Sequence, residues 1–312
     1  MAFNWQTFRT RTLTAILFAV VMITGLLWSN WSFLLLFSII HFGCWWEYLQ
    51  LGEKIHGTRF HPYSKLGFML VGYGFVLWMC NPTYQVAGYS LADNLSLPVS
   101  AAGFALLAIG IFQPNRVKTK AYGFAAAGLL YISLCWGLMM GLYDYQVKES
   151  VTVVPHPGDA MRWYMPVFSK PYTLPLLIIS SIWINDTMAY IVGSIIGKTP
   201  LSRISPKKTW EGTLGGMLLS IVVTGLGFSY FTSSLVTPQY FDQFSEATWY
   251  IIAAICAIAG TFGDLFESKL KRMADVKDSG RFMPGHGGFL DRFDSLLFAV
   301  FFVWLYVTLV GA

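Results

Sequence analysis

The sequence predicts an all-α, polytopic integral membrane protein of about nine transmembrane helices, with its N-terminus in the cytoplasm. Three observations predict it: the composition, the lengths of the apolar runs and the placement of the basic residues. Of 312 residues, 55% are hydrophobic, 17% aromatic and only 12% charged, the last about half the ~25% usual for a soluble domain. Mean hydropathy is +0.55. A water-soluble globule of this size needs polar surface that such a chain lacks. Soluble enzymes, secreted disulfide scaffolds and disordered linkers are excluded.

A spanning helix takes ~20 mostly apolar residues. Nine segments reach or approach that length, at roughly 13–29, 31–51, 66–82, 96–112, 121–142, 172–196, 213–233, 247–268 and 293–310. The first follows Arg9 and Arg11 as a signal peptide would, but Gly25-Leu26-Leu27-Trp28 offers no small-x-small cleavage site, so a retained span is expected. Polar turn formers separate later segments, among them Asn81-Pro82, Gln113-Pro114-Asn115, Ser205-Pro206 and Thr237-Pro238. With the N-terminus inside and the spans alternating, 18 of the 21 Lys and Arg fall in cytoplasmic segments; only Lys148, Arg162 and Lys170 fall outside. That segregation follows the positive-inside rule and supports both count and direction. The external stretch 143–171 is close to neutral and is expected to form a surface cap without chemistry. Cys44, Cys80, Cys135 and Cys256 lie in apolar runs without C-x-x-C spacing, as packing residues do. Residues 1–120 are expected to form a helical scaffold and 121–312 a catalytic region whose active site faces the cytoplasm.

A carboxylate near a bilayer centre costs ~2.5–3.5 kcal/mol by insertion scales, so it usually has a function. Asp186 lies deep within the segment 172–196. Asp264 and Glu267 lie near the cytoplasmic end of the eighth segment, on one helix face at i and i+3, with Lys271 one turn beyond Glu267. Glu267 and Lys271 are expected to form a buried ion pair, leaving Asp264 for chemistry. The run Gly285-His286-Gly287-Gly288-Phe289-Leu290-Asp291-Arg292-Phe293-Asp294 then offers backbone N–H groups to an anion, followed by two acids at i and i+3. A hard divalent cation such as Mg²⁺ takes a few carboxylate oxygens together with phosphate oxygens and water. Asp264 and Asp291 are the expected metal pair, with Asp294 and Asp186 as further candidates. For Asp294 an N-terminal helix charge is an equal alternative. His286 is expected to brace the loop by hydrogen bonding, with general-base action the less favoured role.

Ser205 followed by Pro206 has the pattern of an N-cap with proline at the first helical position. Lys207 and Lys208 would then stand at a positively polarised helix start, suited to phosphate. Gly193 through Thr199 does not make a P-loop, because Val192 stands where that motif needs glycine. Gly193 and Gly197 are expected to permit close helix contact.

At these residues a family becomes visible. Ser268-Lys269-Leu270-Lys271-Arg272, then Lys277-Asp278-Ser279-Gly280, then Pro284 through Asp294 resembles the signature of phosphatidate cytidylyltransferases (CDP-diacylglycerol synthases), over 27 residues with fixed spacing. Met283 departs from the Leu, Ile or Phe of that pattern and keeps its apolar bulk. Asp186-Thr187-Met188-Ala189-Tyr190 and Lys207 through Gly212 resemble a second block of the same family. The resemblance is strong over about 180–312 and general before that.

It implies a multi-pass enzyme of the inner (cytoplasmic) membrane that makes CDP-diacylglycerol and pyrophosphate from CTP and phosphatidate with Mg²⁺. A second, monovalent cation such as K⁺ and a homodimer are further implications. Carried over by position, Asp264, Lys271 and Asp291 would be catalytic, the two acids as metal ligands and Lys271 as a phosphate contact. Substrate contacts are expected from Lys207, Lys208, Ser268, Arg272, Lys277, Asp278, His286, Gly287, Gly288 and Arg292. Nothing points to nucleic acid. The alternatives are a CTP-using enzyme with another lipid acceptor and a membrane transporter using Asp186 and Asp264 as coupling-ion ligands. A CDP-alcohol phosphotransferase fits poorly, since two residues, not three, separate Asp291 from Asp294.

Overall fold

A computed structural model describes residues 5–114, 117–143, 171–235, 246–282 and 287–310. Ten α-helices run through them: α1 (Trp5–Leu27), α2 (Asn30–His56), α3 (Pro62–Trp78), α4 (Ser96–Ile111), α5 (Thr119–Gly128), α6 (Cys135–Leu142), α7 (Thr173–Ile196), α8 (Trp210–Leu235), α9 (Glu246–Met273) and α10 (Leu290–Val310). A π-helical stretch, Leu129–Leu134, joins α5 to α6 as one continuous helix.

Each of the nine expected apolar segments falls on helix. Seven stretches among the described residues are long and apolar enough to cross a membrane: Asn30–His56, Leu91–Ile111, Thr119–Leu142, Thr173–Ile196, Trp210–Tyr230, Ala247–Met273 and Leu290–Val310. The chain is a nearly all-helical, multi-pass membrane protein. The other two segments are shorter. α3 has 17 residues and spans about 25 Å at ~1.5 Å per residue, less than the ~30 Å hydrocarbon core. The apolar helix Thr12–Leu27 is shorter still. Between α3 and α4 lies a small hairpin, β1 (Gln85–Val86) with β2 (Tyr89–Ser90). Its turn residues Ala87 and Gly88 have φ of 49° and 84°, the left-handed pair that matches strand twist in a two-residue turn.

Lipid is as apolar as leucine, so helices in a bilayer associate by close backbone packing at small residues. The α3–α4 crossing follows this rule: Gly67 lies against the backbone of Leu107, and Gly103 against that of Val71. In the C-terminal half Gly212 meets Gly193, Gly216 meets Ala189, and Gly263 meets the carbonyl of Asp294. These contacts set the spacing of α7 against α8 and of α9 against α10, and thereby help to place Asp186, Asp264, Asp291 and Asp294. Gly193 does what its sequence context suggests. Large side chains such as Phe104, Leu218 and Leu309 point outward, and the four cysteines are free and buried.

The stretch after α7 departs from expectation. Ser205-Pro206 starts no helix; α8 begins at Trp210. Pro200 bridges to Thr209, the Leu201 amide donates to the Lys208 carbonyl and the Trp210 amide to that of Thr199. Glu211 accepts from the amides of Lys198 and Thr199. These bonds hold residues 198–209 as a closed loop, which overrides the local capping signal. Thr209 caps α8 instead, its Oγ1 accepting from the Gly212 amide at 3.2 Å. The neutral cap expected over 143–171 falls almost wholly on residues 144–170, outside the described residues.

Candidate functional site

Five helices, α1, α7, α8, α9 and α10, and one loop enclose a cavity of about 560 Å³. On α7, residues Ile182, Asp186, Ala189 and Gly193 recur at helical spacing and form one wall. The 198–209 loop adds Lys207 and Lys208, α9 adds Asp264, and the first turns of α10 add Asp291, Arg292 and Asp294. Phe18 of α1 lines the apolar side together with Trp183.

The two acids on which the sequence reading depends, Asp264 and Asp291, therefore share one cavity with Asp186 and Asp294. Asp186, Asp264 and Asp294 lie close enough to interact electrostatically. Lys208 Nζ is 2.7 Å from Asp264 Oδ2. Asp291 is held differently. Its Oδ1 accepts from Lys271 Nζ at 2.6 Å, while its Oδ2 accepts from the Ser279 amide at 2.9 Å, the Ser279 hydroxyl at 2.9 Å and the Gly288 amide at 2.8 Å. Lys271 also pairs with the fully buried Glu267, the ion pair anticipated from their spacing. The single α9 face read from sequence thus divides: Asp264 turns to the cavity, while Glu267 and Lys271 pair with each other and Lys271 reaches Asp291 in the first turn of α10.

The donor set suits a hard cation. Four carboxylates line the cavity against three cationic side chains, Lys207, Lys208 and Arg292. Asn185 Oδ1, on the same wall, is buried without a hydrogen-bond partner. Among the described residues no group of three or more His, Cys, Asp or Glu side chains is arranged to hold an ion. Mg²⁺ at nucleotide sites takes one or two protein carboxylates and completes its shell with phosphate and water, so the cavity fits that mode and not an all-protein cage.

The remaining candidates are distributed around this centre. Lys271, Gly287 and Gly288 stand behind Asp291, outside the cavity lining. Gly287 has φ of 83°, a left-handed conformation that a side chain disfavours, and a Cβ there would lie 2.6 Å from Asp291 Oδ2. Ser268, Lys277 and Asp278 do not line the cavity, and Arg272 donates to the Ile204 carbonyl at 3.4 Å, tying α9 to the loop. His286 lies outside the described residues.

Sequence reasoning missed Glu47. This α2 residue, 5% exposed, accepts from Ser279 Oγ at 2.7 Å and from the amides of Phe289 and Leu290, each at 2.9 Å. A Cβ on Gly280 or Gly288 would overlap its carboxylate. Those glycines thus make room for an acid of the same chain. Gly288→Ala is expected to destabilise the protein by about 1–3 kcal/mol, the usual cost of overpacking, because Glu47 cannot withdraw without losing three hydrogen bonds. Thermal unfolding in detergent checks this; an unchanged transition contradicts it. The available signal for Glu47 was a lone acid in the apolar run Cys44-Trp45-Trp46-Glu47-Tyr48-Leu49.

Comparison with known proteins adds an independent line. The sequence profile of the cytidylyltransferase family matches residues 9–310. A phosphatidate cytidylyltransferase from Staphylococcus saprophyticus is 31% identical over 295 residues, covering 94% of this chain and 96% of that protein. One from Synechocystis sp. is 44% identical over 204 residues, 64% of this chain and 66% of its own length. Phosphatidate cytidylyltransferase 4, chloroplastic, from Arabidopsis thaliana is 42% identical over 213 residues, 66% of this chain and 50% of that protein.

Proposed function

Because the chain belongs to the cytidylyltransferase family and is a nucleotidyltransferase, we propose that it transfers CMP from CTP to phosphatidate, giving CDP-diacylglycerol and pyrophosphate. The reaction is placed at the cytoplasmic face of the cell's inner membrane, with Mg²⁺, in phospholipid biosynthesis. From the resemblance, the proposal includes a homodimer and a second, monovalent cation. The observation that carries the reading is the one cavity that joins four acids, three cations and an apolar wall among the membrane helices.

In the proposed reaction a phosphate oxygen of phosphatidate attacks the α-phosphorus of CTP. A new P–O bond forms as the bond to the β-phosphate oxygen breaks, and pyrophosphate leaves in line. Such transfers depend on positioning and charge neutralisation more than on covalent catalysis. Lys207, Lys208 and Arg292 would draw the triphosphate and the lipid phosphate together and offset their repulsion. Asp264, with Asp186, Asp294 and Asn185 beside it, would hold Mg²⁺. When bound, that ion supplies Lewis-acid neutralisation of phosphoryl oxygens. Asp291, expected with Asp264 as the metal pair, already accepts from Lys271, Ser279 and Gly288, and its proposed part is instead to fix the loop and Lys271 at the edge of the same cavity. Phe18 and Trp183 give the lipid an apolar flank. A phosphate monoester is largely ionised near neutral pH, so no strong base is needed and His286 is not assigned proton transfer.

Purified protein with Mg²⁺, phosphatidate and CTP labelled at either the α- or the γ-phosphorus tests the proposal. The expected result is α-label in an organic-extractable CDP-lipid and γ-label in pyrophosphate. No label in phosphatidate-derived lipid overturns it. Label appearing only with a different lipid points to another acceptor, and intact CTP accumulating inside vesicles points to transport.

A further inference from the structure

We propose that Glu47 is a positioning residue of the CMP-transfer site: from α2 it holds Ser279 and the Phe289–Leu290 turn where they place Asp291 at the cavity. This inference rests on the reading of the cavity just given. It gives α2 a part in the site, beside the Phe18 that α1 adds to the cavity.

Glu47 lies nine residues before the end of α2, about 14 Å along the helix at ~1.5 Å per residue. An acid at such depth in an apolar helix is expensive unless it is partnered. Among the described residues no Lys or Arg forms an ion pair with it. Its partners are instead the hydroxyl of Ser279 and the two amides that open α10. Those amides belong to the positively polarised end of a 21-residue helix, where a carboxylate is favoured.

The α2 surface is shaped for the loop on the same face. Gly43 stands one turn before Glu47, and a Cβ there would overlap the Phe289 ring. Glu47 binds the Phe289 amide, so α2 grips both the ring and the backbone of one residue. Ser279 then carries the contact onward, since its Oγ lies 2.7 Å from Glu47 Oε2 and 2.9 Å from Asp291 Oδ2. One hydroxyl hydrogen serves one carboxylate at a time. The two acids are therefore coupled through Ser279, and through Asp291 to Lys271 and Glu267. Glu47 itself does not line the cavity. Its influence on the reaction passes through Asp291.

In Glu47→Gln the amide nitrogen must face at least one of three donors, so the grip on the loop weakens while side-chain volume is kept. The expected result is a 10- to 100-fold fall in kcat/KM for CTP, the range for outer-shell partners of a metal site, in protein that stays folded. The Mg²⁺ concentration for half-maximal activity should rise, and the loss should be non-additive with that of Ser279→Ala. Amide hydrogen exchange over 277–294 should increase. A cap that served stability alone would move the melting transition but not the Mg²⁺ dependence per folded molecule.

Wild-type values of kcat/KM and Mg²⁺ dependence in folded Glu47→Gln overturn this inference alone, provided the wild-type enzyme makes CDP-lipid. Absence of CDP-lipid from the wild type overturns the reading of function and this inference with it. Should Glu47→Gln not fold, Gly43→Ala carries the test. It adds one methyl group against Phe289 and is otherwise favourable to a helix. A several-fold loss of kcat/KM is expected, and undiminished turnover refutes the role.

Discussion

Asp264→Asn is expected to lower CMP transfer on the order of 10²–10³-fold, the usual effect of removing one group that stabilises transition-state charge, while leaving the fold intact. The variant keeps the shape of the side chain and removes its charge. Among the described side chains Asp264 is the one α9 acid that faces the cavity, and it sits beside Asp186 and Asp294. Its ion-pair partner is Lys208, and the two side chains are 25% and 34% exposed. A pair so accessible to solvent contributes only about 0–1 kcal/mol to stability. Activity should therefore collapse with a melting transition close to that of the wild type. Turnover and thermal unfolding measured on one detergent preparation check both halves; near-normal turnover would contradict the role given to Asp264.

Asp291→Asn is expected to abolish activity by a different route, with a large loss of stability as well. Its carboxylate receives four donors, Lys271 Nζ, the Ser279 amide and hydroxyl, and the Gly288 amide. An asparagine amide group turned either way would point its own N–H bonds at one set of them. Lys271 would also be left to Glu267 alone, in a site where the side chains of Lys271, Asp291 and Glu267 are 14%, 8% and 0% exposed. Breaking a buried pair from one side costs about 3–5 kcal/mol. The two aspartates thus separate by experiment. One variant loses turnover at nearly constant stability, and the other loses both. An Asp291→Asn protein as stable as wild type would mean that the loop does not depend on this carboxylate.

Most of the helical plan was legible because its signals are long and redundant. An apolar run of ~20 residues persists through local noise, and each segment expected from hydropathy lies on a helix. The two that are too short, in α1 and α3, were also among the shorter runs. The site was legible where chemistry and spacing coincide. Asp186, Lys207, Lys208, Asp264, Asp291, Arg292 and Asp294 all line one cavity.

What sequence could not supply were the partners. Nothing in the spacing of Asp264 and Asp291 distinguishes an acid turned to a cavity from one saturated by loop donors. Glu47 was missed because its partners lie 232 to 243 positions away, and a long-range hydrogen bond leaves no periodicity. Ser205-Pro206 misled for the opposite reason. The local capping preference was real, but the bridge from Pro200 to Thr209 and the Glu211 clamp on Lys198 and Thr199 fix that backbone more strongly.

In the proposed site, acids from separate helices converge to hold a cation together with the nucleotide. The most direct measurement of that convergence is Mn²⁺ binding by electron paramagnetic resonance, with and without CTP, in wild-type protein and in Asp264→Asn. The wild type is expected to give a protein-bound Mn²⁺ signal that strengthens with CTP and is lost or greatly weakened in the variant. An identical CTP-dependent signal in Asp264→Asn would contradict the proposed site.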